Sequence, residues 1–162
     1  MPRIDTIPTQ GARKPLPRYC PRDYCAEPES FGYARTVRWI PQADERSKAL
    51  CIAAQMQHVY AVRIRQRAKL LDQQAKDAAK ARSATGDQSA EVAAGVPGKA
   101  LKVLAAKSGT SYPRLLRALR GEVVLRLDDI AWADLVLGQI SEFTQPRPGD
   151  GRPSQRPTPG TG

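Results

Sequence analysis

Groups that do chemistry are scarce in this chain. It has one histidine and three cysteines among 162 residues. There is no HExxH pair, no glycine-rich phosphate loop and no Gly-x-Ser-x-Gly elbow, so an enzyme is not expected. Long apolar runs are missing too: none approaches the roughly 18 residues that a membrane-spanning helix needs. The opening "MPRIDTIPTQ" lacks the apolar centre of a signal peptide. A cytoplasmic protein, nucleoid-associated if it binds DNA, is therefore expected, with no membrane partner. An odd number of cysteines cannot all pair within one chain, and a reducing compartment would keep them as thiols or bind them to metal.

Acidic residues are short in one place above all. Residues 99–121 carry six Lys and Arg and no Asp or Glu, whereas residues 122–144 carry one basic residue against five acidic. A folded unit spanning both segments would be electrically two-faced. Over the whole chain the balance is +10, which makes a polyanion the default partner and favours nucleic acid over a membrane surface.

The 14 prolines and 12 glycines crowd toward the ends, so residues 1–18 and 144–162 read as disordered tails. Residues 19–43 form an irregular segment containing cysteine, in which the loose alternation of "ARTVRWI" predicts a short strand near 35–40. From Asp44 the pattern turns helical. Leu50, Ala53, Met56, Tyr60, Ile64, Ala68, Leu71, Ala75 and Ala78 recur at steps of three or four, predicting a long basic helix over 44–83, straight or bent. Residues 84–98 read as a linker, and three short helices follow at about 99–107, 112–120 and 127–137. The fold expected is mostly all-α: a compact helical bundle over 99–143, a long N-terminal helix and tails.

The densest basic stretch is "SGTSYPRLLRALRG", residues 108–121. On a helical wheel Arg114, Arg117 and Arg120 share one stripe, and Leu115, Leu116 and Leu119 fall nearly opposite. Gly121 supplies a stop, and Ser111 or Tyr112 must cap the start because Pro113 suits a first turn. A short helix, a turn containing glycine and a second helix carrying the cations make a helix-turn-helix arrangement.

Residues 104–138, "LAAKSGTSYPRLLRALRGEVVLRLDDIAWADLVLG", resemble the helix-turn-helix domain of the phage repressor and Cro type, the Xre family. The likeness lies in Leu104, Ala105, Gly109, Ser111, Leu115, Gly121, Leu127, Ile130, Leu137 and Gly138, which fit without a gap. It implies a small bundle of helices that binds operator DNA, commonly as a homodimer, with helix 112–120 in the major groove. Tyr112, Pro113 and Arg117 would then face base edges beside Ser111, with Arg117 the reader of guanine. Arg114, Arg120, Lys102 and Lys107 would sit on phosphates. The chain departs from the family pattern at Leu101, usually polar, at Glu122, usually basic, and at Asp134, usually small. It also places "SATGDQSAEVAAGVPG" before the second helix, so either the long helix or a new turn near 89–94 must serve as the first.

Arg63, Arg65, Arg67, Lys69, Lys76, Lys80 and Arg82 give the long helix a second basic surface, suited to phosphates or simply to solvent. Its apolar stripe would alternatively pair with a second copy, although Gln57 and Arg67 occupy interior-like positions. Cys20, Cys25, Cys51 and His58 are the candidates for a zinc site, and Cys20 with Cys25 for a local thiol pair. Residues 51 and 58 lie two helical turns apart, about 10 Å, against about 2 Å from zinc to each ligand. No cofactor is therefore expected, and His58 reads as structural. The function expected is sequence-specific transcriptional control, repressor-like, on double-stranded DNA. The alternatives are an adaptor or assembly protein that binds through its helical domain and N-terminal region, and an RNA-binding protein.

Overall fold

The computed structural model describes residues 18–85, 99–138 and 140–141. Its elements are two short 3₁₀ turns, Pro21–Tyr24 and Pro28–Ser30, followed by α1 (Glu45–Thr85), α2 (Ala100–Ser108), α3 (Tyr112–Leu119) and α4 (Leu127–Leu137). The architecture is all-α, and no strand forms among the described residues. The expected strand near 35–40 is replaced by a single antiparallel bridge between Cys25 and Trp39. Two backbone hydrogen bonds flank it, Ala26 N–H to Arg38 O and Ile40 N–H to Tyr24 O, both 2.9 Å. The 3₁₀ turns Pro21–Tyr24 and Pro28–Ser30 stand on either side of Cys25 and interrupt the ladder there. The tails proper, the link 86–98 and the alternative turn at 89–94 lie outside the described residues.

α1 is one continuous helix of 41 residues, about 60 Å long at 1.5 Å per residue. Asp44 begins it, its Oδ1 accepting from Ser47 N–H at 2.9 Å, a side-chain cap that satisfies one of the free amides of the first turn. The buried face of its first half is not the stripe that the spacing suggests. Cys51, Ala54, His58 and Ala61 face inward, while Met56 is 57% exposed. The reason lies in residues 19–43, which fold back against α1. Phe31 is 1% exposed and packs with Ala61, Ile64, Leu115 and Leu119 in one core. Small residues on α1 allow that approach: a Cβ built on Gly32 would lie 3.2 Å from Ala61 Cβ and would run into the Leu119 carbonyl oxygen. Bulky Ile52, Met56 and Val59 are left on the outer side.

His58 fastens this segment. Its Nδ1 accepts from Gly32 N–H at 3.0 Å, and its ring meets Phe31 and Trp39 edge-on at centroid distances of 5.2 and 5.6 Å. The Tyr19 hydroxyl donates to Leu50 O at 2.9 Å; burial, then Tyr24, pushes its pKa up to about 12.

α1 also closes the ends of its neighbours. Helix ends leave backbone groups without partners, and polar residues of α1 supply them at long range. Asp72 Oδ1 accepts from Lys99 N–H and Ala100 N–H at 3.1 and 3.0 Å, at the start of α2. Arg67 Nε donates to Leu137 O at 2.8 Å and Arg63 Nη1 to Ile140 O at 3.1 Å, at the end of α4. Gln57 Oε1 accepts from Leu125 N–H at 2.9 Å. Gln57 and Arg67, apparent misfits in an apolar stripe, thus satisfy backbone groups elsewhere. Asp134 does the same locally, taking Ile140 N–H and Ser141 N–H at 2.7 and 2.8 Å and the Ser141 hydroxyl. These bonds outweigh its burial and hold its pKa below the ordinary value.

Candidate functional site

α2 and α3 are joined through Gly109, Thr110 and Ser111. Gly109 adopts φ 67°, a left-handed conformation that costs a side-chain-bearing residue about 1–2 kcal/mol, and it ends α2. Ser111 is the N-cap of α3 by backbone geometry, although its side chain makes no cap bond. Pro113 stands at the second helical position, where its missing N–H costs nothing. Leu115, Ala118 and Leu119 are buried, which fixes the rotation of α3. Pro113, Arg117 and Arg120 consequently lie on its exposed face, with Tyr112 half-buried to one side and Arg114 on the other. The wheel reading of α3 survives except at Leu116, which is only partly buried.

The three arginines have different surroundings. Arg114 Nη1 lies 2.9 Å from Asp129 Oδ2, and Asp129 is 1% exposed. The same carboxylate accepts from the Thr110 hydroxyl at 3.0 Å and from Arg126 N–H at 3.1 Å, capping α4. Arg114 Nη2 adds a bond to Val124 O at 3.3 Å. The expected phosphate clamp is instead the partner of a buried carboxylate, because α4 brings Asp129 under the α2–α3 turn. Arg117 Nε lies 3.3 Å from Glu122 Oε2 and remains 55% exposed. Glu122 is held from its other side by Arg22 Nη1 at 3.3 Å, which explains an acid where the family pattern has a base. Arg120 is exposed and has no carboxylate within ion-pair distance among the described residues.

Lys102 and Lys107 are exposed on α2, and Lys102 Nζ sits 5.8 Å from the centroid of Tyr112. Arg65 of α1 stacks on Tyr33, its Cζ 3.9 Å from the ring centroid. Tyr33 escaped the sequence reading because it lies in a segment without period; "FGY", a glycine between two aromatics, was the available signal. Of the basic surface expected on α1, Arg63 and Arg67 are engaged with the end of α4, while Lys69, Lys76 and Lys80 are exposed.

The metal candidates are not brought together. His58 Nδ1 is taken by Gly32, the Cys20 and Cys25 thiols donate to Gly121 O and Glu27 O at 3.2 Å each, and Cys51 Sγ accepts from Gln55. No group of three or more His, Cys, Asp or Glu among the described residues is placed to hold a metal ion. Burial, reinforced by Asp23, raises the Cys20 thiol pKa, the opposite of what a reactive thiolate needs. No helix among the described residues is long and apolar enough to cross a membrane. The chain matches no protein-family model, no curated protein and no solved structure.

Proposed function

We propose that the protein is a sequence-specific DNA-binding regulator, repressor-like, that lays α3 in the major groove with α2 bracing against the backbone. The observation that carries this reading is the arrangement of α3: its leucines are locked into the core while Pro113, Arg117 and Arg120 form a continuous exposed face. An arginine on such a face can bond O6 and N7 of guanine together. Lys102, Lys107 and Arg120 surround it with charges suited to phosphate. Arg114, tied to Asp129, serves the fold of the reading head rather than the contact. A homodimer on paired half-sites belongs to the same proposal.

The test is binding to genomic DNA fragments and to RNA, for the wild type and for Arg117→Ala. A few duplex sequences should stand out, and the substitution should cost about 1–3 kcal/mol on those alone. Uniform binding to every duplex would defeat specific regulation. Preference for RNA, or no nucleic-acid binding at all, would move the reading to the RNA-binding or adaptor alternatives.

A further inference from the structure

α3 ends against a piece of chain that precedes all four helices. A Cβ built on Gly121 would lie 3.0 Å from Arg22 Cβ and 2.7 Å from Phe31 Cδ1, so the missing side chain is what admits the turn Pro21–Tyr24 there. The Gly121 carbonyl then accepts from Arg22 N–H and from the Cys20 thiol, both at 3.2 Å. The main chain of Arg22 is thereby pinned beside Glu122, 100 positions away in sequence.

Glu122 is tied to Arg117 through the backbone as well, its amide donating to Arg117 O at 3.0 Å. Its carboxylate is divided: Oε1 meets Arg22 Nη1 and Oε2 meets Arg117 Nε, each at 3.3 Å. Arginine and carboxylate pair most strongly as a two-pronged fork, with separations of about 2.7–2.9 Å. Arg117 has one prong, and a long one, while the second oxygen is engaged by Arg22. The positive charge of Arg22 beside the same carboxylate also offsets the attraction that draws Arg117 in. Arg22 restrains the acid too, which would favour the pair, but the Glu122 backbone is already bonded and its side chain is only 24% exposed. Competition for the carboxylate is therefore the larger effect.

We infer that Arg22 is a positioning residue for recognition: by occupying Glu122 Oε1 it keeps the Arg117–Glu122 pair weak enough to open, and so sets how readily Arg117 is released to a base edge. That the released arginine goes to a base rests on the DNA-binding reading; the division of Glu122 between two arginines does not. The N-terminal segment is then part of the reading head, acting through the acid rather than by touching DNA. Its signature is one of sign. Loss of Arg22 tightens the grip of Glu122 on Arg117, loss of Glu122 abolishes it, and without Glu122 the presence of Arg22 no longer matters.

The test is a double-mutant cycle on the full chain with two readouts. The first, without nucleic acid, is NMR relaxation of the Arg117 Nε–Hε group. Arg22→Gln should make this side chain more rigid, Glu122→Gln should free it, and Arg22→Lys, which keeps the charge, should stay near wild type. The second is affinity for the tightest-bound duplexes at about 0.15 M salt, where charges more than about 8 Å apart are screened. Arg22→Gln should weaken binding about threefold, the size of an exposed ion pair, and Glu122→Gln should tighten it by a similar factor. Added to Glu122→Gln, Arg22→Gln should change nothing further. A loss that persists in the Glu122→Gln background makes Arg22 a brace of the fold or a direct backbone contact, and overturns the inference. Tighter binding by Arg22→Gln, or an Arg117 whose mobility ignores that substitution, overturns it as well. The expected mobility changes with no preference for any duplex keep the division of Glu122 and remove a base edge as the group to which Arg117 is released.

Discussion

Asp129 is the residue on which the α2–α3–α4 corner turns. Its two oxygens receive bonds from Thr110 in the turn, Arg114 on α3 and the Arg126 amide that opens α4. The group is almost fully buried, and the Arg114 side chain is only 26% exposed. Removing the acid strands a partly buried guanidinium and uncaps a helix together. Asp129→Ala should therefore cost about 3–5 kcal/mol, the range for breaking a buried pair from one side, read from urea denaturation followed by circular dichroism. Arg114→Ala should fall short of that, because a carboxylate still bonded to Thr110 and Arg126 keeps part of its compensation. At this scale sequence was a poor guide. The charge and spacing of Arg114 are those of a surface cation, and nothing local announces that Asp129, 15 positions away, will fold beneath it.

Among the elements, helix existence and position were the legible part. Asp44, Gly109, Gly121 and Gly138 punctuate the chain at the places where helices begin or end, and the amphipathic spacing of Leu115 and Leu119 fixes α3. The phase of α1 was not legible, because its inner face is chosen by a partner that has no period of its own. Residues 19–43 select Ala54, His58 and Ala61 over the larger Met56 and Ile52, since Gly32 and Phe31 need room. The His58 imidazole that secures them is a titrating link. Burial lowers its pKa below the ordinary 6.5, so the folded state prefers the neutral ring and the unfolded chain binds the proton more readily. Its contribution is complete above about pH 6.5 and is lost as pH falls through the depressed folded-state value. Thermal unfolding from pH 8 down to 5 should show stability declining below about 6.5, and His58→Gln should flatten that part of the profile.

Taken whole, the molecule has less charge to offer a partner than its formal balance suggests. Arg22, Arg114 and Arg117 face acids, and Arg63 and Arg67 face the carbonyl end of α4. Around α3 the exposed cations with no acid partner among the described residues are Lys102, Lys107 and Arg120. On the proposed reading, three such contacts per protomer give a slope of log K against log salt of about −2.7 for one bound protomer and about −5 for a homodimer, at about −0.9 per phosphate. Fluorescence anisotropy between 50 and 200 mM salt measures it. A value twice as steep for the same number of bound protomers would bring the exposed lysines of α1, Lys69, Lys76 and Lys80, onto the backbone as well.

On the DNA-binding reading proposed above, Glu122 would turn recognition into an exchange. Arg117 does not wait in solvent for a base edge; it already leans on a carboxylate that Arg22 holds in place from the N-terminal segment. On that reading, a guanine that captured Arg117 would have to outbid the one carboxylate oxygen, Glu122 Oε2, that its Nε already meets, so the gain would be a charge-assisted hydrogen bond to the base less an exposed ion pair. A mismatched site would then yield less, and the arginine would return to Glu122. In that sense, on the proposed reading, the acid after Gly121 would work as a discriminator, lowering affinity for every sequence so that few of them remain worth the exchange.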